Sequence, residues 1–238
     1  MNKILWGMAA LLFSATVFAQ SGDSEIFIQQ SGTGLELDIN QIGQGNEIGD
    51  LTDAAFVLNG LQQVIRIDQI GSGNRLIGEI FSDTVEAILE FIGDNNEMEL
   101  RVNPGGLNSA DAGRFIFSVM GSNNEFDVRV ADDGVADNAT FDWDITGDFN
   151  SFDAVVNSDN YVNNLTVFGN YNNFDFLATG ASGHSVDIDH TGNYANFVIS
   201  QTATLETNTI KLETNTSGTA SVPATICIYQ SDSGNTGC

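Results

Sequence analysis

The residues of this sequence that could do chemistry are, first of all, pairs of aspartates. Asp142 and Asp144 form one pair, and Asp187 and Asp189 form another. Two carboxyls side by side suit a glycosidase, and carboxylate oxygens also bind calcium. A catalytic pair needs one carboxyl of raised pKa in a cleft, whereas these pairs recur at outward positions of the pattern. We therefore predict no enzyme activity and no cofactor, with only weak Ca²⁺ binding left open.

The other reactive side chains indicate structural roles. His184 and His190 have no cysteine or further histidine in phase that would complete a metal site. His190 stands where earlier repeats have glutamine, which predicts an interior or ladder residue. Cys227 and Cys238 are the only cysteines. In an exported chain such a pair predicts one disulfide that closes a C-terminal loop.

Export itself is predicted from the first residues, MNKILWGMAALLFSATVFAQ. Lys3 precedes an apolar run over 4–18, and the small residue Ala19 follows it. This is the pattern of a secretory signal peptide that is cleaved after Ala19. A membrane anchor fits less well because the apolar run is short for a bilayer span. We predict that residues 1–19 are the signal peptide and that the mature protein is secreted, extracellular or at the surface of a bacterium.

Composition limits both the partners and the fold class. The chain has 32 acidic against 7 basic residues and a net charge of −25, which repels nucleic acid and anionic lipid. A chain this acidic could be disordered, but a 42% hydrophobic content with 16 phenylalanines supplies a core. Only two prolines occur, so long strands are allowed, and 25 glycines indicate frequent turns.

The elements that position these residues are internal repeats. One glycine marks each repeat, at spacings of 28, 22, 28, 26, 22 and 23 residues. The marker glycines are Gly43, Gly71, Gly93, Gly121, Gly147, Gly169 and Gly192. An asparagine follows three positions later in six of the seven, at Asn46, Asn74, Asn96, Asn124, Asn150 and Asn172. In the seventh repeat, Ala195 holds that place.

Apolar and polar residues alternate on both sides of each marker. After Gly121, for example, Phe126 and Val128 alternate with Asp127 and Arg129. A period of two with one apolar face predicts a strand, and Gly and Asn suit a bend because they tolerate positive φ. Each repeat is therefore predicted to be strand, bend and strand.

Such strand pairs cannot bury their apolar face alone, but stacked copies can. We predict an all-β, two-sided β-solenoid of strand-bend-strand repeats of 22–28 residues over 20–222, followed by a disulfide-closed cap or tail over 223–238. A β-sandwich also uses short strands in which apolar and polar residues alternate, but it does not require the same bend residues at the same position of every repeat. Stacking predicts a ladder of bend asparagines; the alternative is that each is only a turn former.

The repeat resembles curlin, the subunit of bacterial curli amyloid fibres. The family pattern is Ser, five residues, Gln, and then Gly-x-Gly-Asn after one spacer. Residues 24–41 fit the family pattern closely: Ser24, Gln30, Gly32, Gly34 and the trailing Gln41 match, while Leu35 replaces the Asn. QIGQGN at 41–46 and QIGSGN at 69–74 match its central motif in full. Beyond residue 80 the bend becomes GDNN, GSNN, GDFN and GNYN, and apolar residues replace the inward glutamine. The ladder and assembly residues assigned on this basis are Ser24, Gln30, Gly32, Gln41, Gly43, Asn46, Gln69, Gly71, Asn74, Asn96, Asn124, Asn150 and Asn172.

The resemblance implies a secreted structural protein that forms, nucleates or caps extracellular amyloid-type fibres in biofilm or adhesion. It implies further copies or other curlin subunits as partners, together with an outer-membrane secretion apparatus. Residues 24–74 are expected to be the most assembly-competent segment. The alternative is a monomeric acidic β-solenoid adhesin or binding module that recognises cations, ice or glycans on one flat face.

Overall fold

A computed structural model describes residues 12–18, 25–49, 56–104, 112–131, 136–181, 183–203, 208–215 and 225–231. All regular secondary structure among these residues is β-strand. The strands are β1 Leu12–Phe18, β2 Glu25–Ile26, β3 Gln29–Ser31, β4 Leu35–Ile42, β5 Glu47–Ile48, β6 Phe56–Ile70, β7 Arg75–Ile92, β8 Glu97–Val102, β9 Ala112–Met120, β10 Glu125–Val130, β11 Ala136–Asp137, β12 Thr140–Thr146, β13 Ser151–Asp159, β14 Val162–Phe168, β15 Asn173–Gly180, β16 Ser185–Thr191, β17 Asn196–Ala203, β18 Thr209–Asn215 and β19 Thr225–Ser231.

The described strands pair only in parallel, and they form two facing sides. The front sheet, whose strands lead into the bends, consists of β1, β4, residues 63–70 of β6, residues 84–92 of β7, β9, β12, β14, β16 and β18. The rear sheet consists of the strands that leave the bends, from β2 to β19. One coil is a front strand, a bend and a rear strand. The predicted two-sided β-solenoid is therefore confirmed.

Alternation places the core between the two sheets. Along β13, Phe152, Ala154 and Val156 are buried, while the residues between them point outward. Inward side chains of the two sheets meet across the core, as Trp143 of β12 and Phe152 do with ring centroids 5.6 Å apart. The same period of two in every coil therefore builds one continuous apolar interior.

Parallel register turns equivalent residues into columns along the solenoid. The column two residues after each bend asparagine contains Ile48, Leu76, Met98, Phe126, Phe152, Phe174 and Phe197, paired one to the next. The rings of its four phenylalanines stack with centroids 5.0–5.2 Å apart. Each such aromatic pair adds about 0.5–1.5 kcal/mol beyond the area it buries.

Both ends of the chain extend the sheets beyond the predicted solenoid. Residues 12–18, assigned from sequence to the signal peptide, form β1 and pair with β4 along the front sheet. Residues 225–231, assigned to the cap or tail, form β19 and pair with β17 in the rear sheet. Cys227 lies on β19, whereas Cys238 is outside the described residues, so the predicted disulfide stays a prediction.

Candidate assembly site: bend ladders and end coils

The bends are held by direct backbone contact between coils. The amide of Gly71 donates to the carbonyl of Ile92 in the next coil at 2.7 Å, and Gly71 has a φ of 130°. A Cβ on Gly71 would overlap the carbonyl oxygen of Gly43 in the previous coil. The same overlap would arise at Gly147 with Gly121. Glycine at this position is therefore required by stacking as well as by the turn.

The six bend asparagines form a ladder inside the solenoid. The backbone amide of each of the first five donates to Oδ1 of the asparagine in the next coil over 2.8–3.1 Å. Nδ2 of Asn74 and Nδ2 of Asn96 donate to the glycine carbonyls of their own bends at 2.7 and 2.9 Å. All six side chains are buried, at 1% exposure. These residues are thus more than turn formers, because five of the side chains accept a buried amide of the neighbouring coil and that of Asn46 donates to Asn74 Oδ1 at 3.0 Å.

A second ladder runs along the same bends, one residue after each marker glycine. There, backbone amides donate to side-chain oxygens of the previous coil over 2.5–3.2 Å. This direction is opposite to that of the asparagine ladder, so interior bends are tied to both neighbours. Sequence reasoning missed this ladder because its members share an oxygen acceptor but not a residue type. They are Ser72, Asp94, Ser122, Asp148, Asn170 and Asn193.

Three aromatic residues form an exposed stack at the left-handed position of successive bends. Phe149, Tyr171 and Tyr194 have φ values of 59–60°. Their rings are nearly parallel, with centroids 4.8 and 4.5 Å apart. The left-handed conformation costs a non-glycine residue about 1–2 kcal/mol, and ring stacking offsets part of that cost. The sequence pattern did not reveal this stack, because glycine or asparagine fills the position in earlier bends.

The inward Gln41, Gln69 and His190 lie along one column. Gln69 Nε2 donates to Gln41 Oε1 at 2.8 Å, and both side chains are buried. Farther along, Phe91 and other apolar residues take the position until His190, whose Nε2 lies 3.2 Å from the carbonyl oxygen of Gly169. Burial lowers the pKa of His190 below its usual value, so its ring is neutral at neutral pH. His190 is an interior ladder residue, as predicted.

The other predicted positions are less directly connected to these ladders. Gln30 lies on β3, and the amide of Gly32 donates to the carbonyl of Asn59 at 2.8 Å at the corner opposite the marker bends. Ser24 lies outside the described residues. His184 is buried at that opposite corner, where its Nε2 lies 3.0 Å from the carbonyl oxygen of Ser158. Burial lowers the pKa of His184 as well.

The aspartate pairs lie on the outward side of the front sheet. Asp142 accepts a hydrogen bond from Asn164 Nδ2 at 2.8 Å and lies 3.4 Å from the guanidinium of Arg114. Asp187 lies 3.2 Å from Nζ of Lys211. Among the described residues, no group of three or more His, Cys, Asp or Glu side chains is arranged to hold a metal ion. Weak calcium binding stays a prediction.

An acidic column crosses the outward side of the rear sheet. Glu99, Asp127, Asp153 and Asp175 are in register on neighbouring strands. Burial and then the charge of Asp127 raise the pKa of Asp153, while Arg129 acts in the opposite direction. At neutral pH, Arg129 therefore compensates only part of the repulsion among the carboxylates of this column.

Comparison with known proteins leaves the geometry as the basis for assigning a function. No family model, no curated protein and no solved structure matches this chain. The resemblance to curlin rests on the repeat residues themselves. No helix in the described parts of the chain is long and apolar enough to span a membrane.

Proposed function

We propose that this protein is a secreted, curlin-like structural protein that forms, seeds or caps extracellular amyloid-type fibres by adding coils end to end. The observation that carries the proposal is the in-register parallel stack, in which the strands of each described coil pair in parallel with those of the next. A parallel stack of this kind has no internal reason to stop at one chain, because each end presents strand edges that another chain can extend.

The C-terminal coil leaves apolar side chains exposed at inward positions. Ile226 and Ile228 occupy inward positions of β19 but are 44% and 45% exposed. Phe197 and Ile199, their register partners on β17, are 0% exposed. A further coil over β19 would bury the two isoleucines as β19 buries their partners. Burial of such side chains is worth about 1.5–3 kcal/mol each, which favours end-to-end addition.

The N-terminal coils are also incomplete. Ile26 and Ile28 are only partly buried against the core, and Phe27 is 49% exposed.

Charge sets the conditions for assembly. A net charge of −25 repels copies of the chain from one another, and this repulsion falls in acid as carboxylates are protonated. We expect the mature chain, residues 20–238, to form thioflavin-positive filaments faster at about pH 4 than at about pH 7. No acceleration in acid would count against the proposal.

A matched pair of variants tests the end contact. Ile228→Lys places a charge at an inward, exposed position of β19, whereas Thr225→Lys places the same charge at an outward, exposed position of the same strand. Filament growth should be lost in Ile228→Lys and retained in Thr225→Lys, as judged by negative-stain electron microscopy. A mature chain that stays monomeric for days under all these conditions would favour the adhesin instead.

A further inference from the structure

The exposed aromatic stack brings two tyrosines of neighbouring coils together. Tyr171 and Tyr194 occupy the same position of successive bends, and their ring centroids are 4.5 Å apart with an angle of 6° between the ring planes. The backbone holds the two bends at this spacing, because the amide of Tyr171 donates to the carbonyl of Asn193 at 2.9 Å. The two tyrosines are 46% and 39% exposed, so a reagent in solution can reach both rings.

We propose that Tyr171 and Tyr194 form an oxidative cross-linking site, where a one-electron oxidant of the peroxidase class joins two neighbouring coils by a dityrosine bond. This inference goes beyond the proposed function, because the link forms within one chain.

The coupling balances with hydrogen peroxide as the co-reactant. The oxidant removes one electron and one proton from each phenol, which leaves two phenoxyl radicals. The radicals combine through a carbon–carbon bond between ring carbons ortho to the two oxygens, and the hydrogens on these carbons then move to the oxygens. The protein loses two hydrogen atoms in total, and one hydrogen peroxide is reduced to two waters.

The stack favours coupling within the chain over coupling between chains. Bond formation requires the rings to turn from face-to-face to edge-to-edge, and the exposed side chains can do so by rotation about their Cα–Cβ and Cβ–Cγ bonds. Two groups that are held together in this way react far faster than the same groups on separate molecules. The net charge of −25 also keeps separate chains apart.

The other two tyrosines of the chain lack these properties. Tyr161 is buried at 1% exposure, and burial raises its pKa, which opposes loss of the phenol proton. Tyr229 lies on β19, and its register partner on β17 is Ser200. Phe149 stacks on Tyr171 but has no hydroxyl from which a phenoxyl radical could form. Within the described parts of the chain, Tyr171 and Tyr194 are therefore the one stacked pair of tyrosines.

The test treats the purified monomeric chain, at low concentration, with a haem peroxidase and hydrogen peroxide. We expect dityrosine fluorescence and, after proteolysis, a linked pair of peptides that contains Tyr171 and Tyr194 and is lighter by two hydrogens. Tyr171→Phe and Tyr194→Phe should each reduce the fluorescence by about tenfold or more, whereas Tyr229→Phe should leave it unchanged. Equal fluorescence in Tyr171→Phe would overturn the proposal.

Two double variants test whether the phenols must be stacked neighbours. Phe149→Tyr with Tyr194→Phe places the phenols at positions 149 and 171, whose rings are 4.8 Å apart, so coupling should return. Phe149→Tyr with Tyr171→Phe places the same number of exposed phenols two coils apart, so coupling should stay low. All rings of the stack are kept in both variants. Equal yields from the two would overturn the requirement for a stacked pair.

The link should also stabilise the coil stack. A covalent bond between successive bends closes a loop in the unfolded chain and lowers its entropy, as a disulfide does. The unfolding temperature of the cross-linked monomer should therefore rise by about 5 °C or more over that of the untreated chain. Peroxidase-treated Tyr194→Phe is the control and should show no such rise. An unchanged unfolding temperature of the linked chain would overturn the stabilising role.

Discussion

The backbone amide of Asn96 donates to the side-chain Oδ1 of Asn124 at 2.8 Å, although the two residues are 28 positions apart in the sequence. The preceding and following steps of the ladder repeat this contact across spacings of 22 and 26 residues. Variation in repeat length is therefore absorbed away from the bends. The bends stay aligned because glycine amides and asparagine side chains connect successive bends.

Removing one rung of the asparagine ladder should destabilise the monomer. Asn124→Ala leaves the buried amide of Asn96 without its acceptor, which should cost about 1–3 kcal/mol in the free energy of unfolding. Asn164→Ala, on the exposed side of the front sheet, is the matched control and should cost less than about 0.5 kcal/mol. Chemical denaturation of both variants measures the difference, and equal losses would show that the ladder amide has no special role.

Substituting two glycines of the same bend distinguishes the need for glycine in the stacking of coils from its need in the turn conformation. Gly71→Ala should cost about 3 kcal/mol or more, because its Cβ would overlap the backbone of the previous coil. Gly73→Ala should cost only about 1–2 kcal/mol, because its φ is 71° but no atom lies within 4 Å of the added Cβ. Thermal unfolding tests this order. A larger loss in Gly73→Ala would contradict the close approach of successive bends.

The acidic column of the rear sheet should weaken the fold at neutral pH. The pKa of Asp153 is raised in the folded chain, so its contribution favours folding below the usual aspartate pKa and is lost as the pH rises through the raised value. Asp153→Asn should therefore stabilise the protein at about pH 7, by about 0.2–1 kcal/mol because the side chain is half exposed and screened by solvent. The gain should shrink toward about pH 3.5.

The control for this pH effect lies on the other sheet. Asp144 is exposed, and its register neighbours Ser118 and Thr166 are uncharged. Asp144→Asn should change the unfolding midpoint little at either pH. A stabilisation equal to that of Asp153→Asn would indicate a general effect of net charge and not of the column.

The buried histidine should contribute pH dependence of the opposite sign. Burial lowers the pKa of His190, so below about pH 6.5 the unfolded chain binds a proton that the folded chain does not. Stability is therefore complete above that pH and falls as the pH decreases. His190→Gln, which places the residue of Gln69 in the same column, should reduce this fall in denaturation experiments between about pH 7.5 and 5. An unchanged slope would indicate that His190 is accessible to protons in the folded state.

The sequence predicted features that depend on repeated residue types. Alternation gave the strands, and glycine with asparagine at fixed phase gave the bends and the stack of Asn46 to Asn172. These features could be predicted because parallel stacking requires like residues at like positions.

Features in which different residue types play the same structural role were missed. Ser72, Asp94 and Asn170 belong to one hydrogen-bond ladder because each presents an oxygen, and no single letter identifies them. The aromatic stack was missed because Tyr171 follows glycines and asparagines at the same left-handed position. The pairing of β1 with β4 was missed because a leader pattern indicates targeting and carries no information on strand partners.

The most direct test of the central claim is the detection of hydrogen bonds between coils in solution. NMR scalar couplings across hydrogen bonds, recorded on the isotope-labelled mature monomer, connect a donor amide nitrogen with the acceptor carbonyl carbon. The in-register stack predicts couplings from the amides of Asn74, Asn96 and Asn124 to the side-chain carbonyls of Asn96, Asn124 and Asn150. If these three amides show no such coupling and exchange freely with solvent, the coils are not stacked in this register and the assembly proposal fails with them.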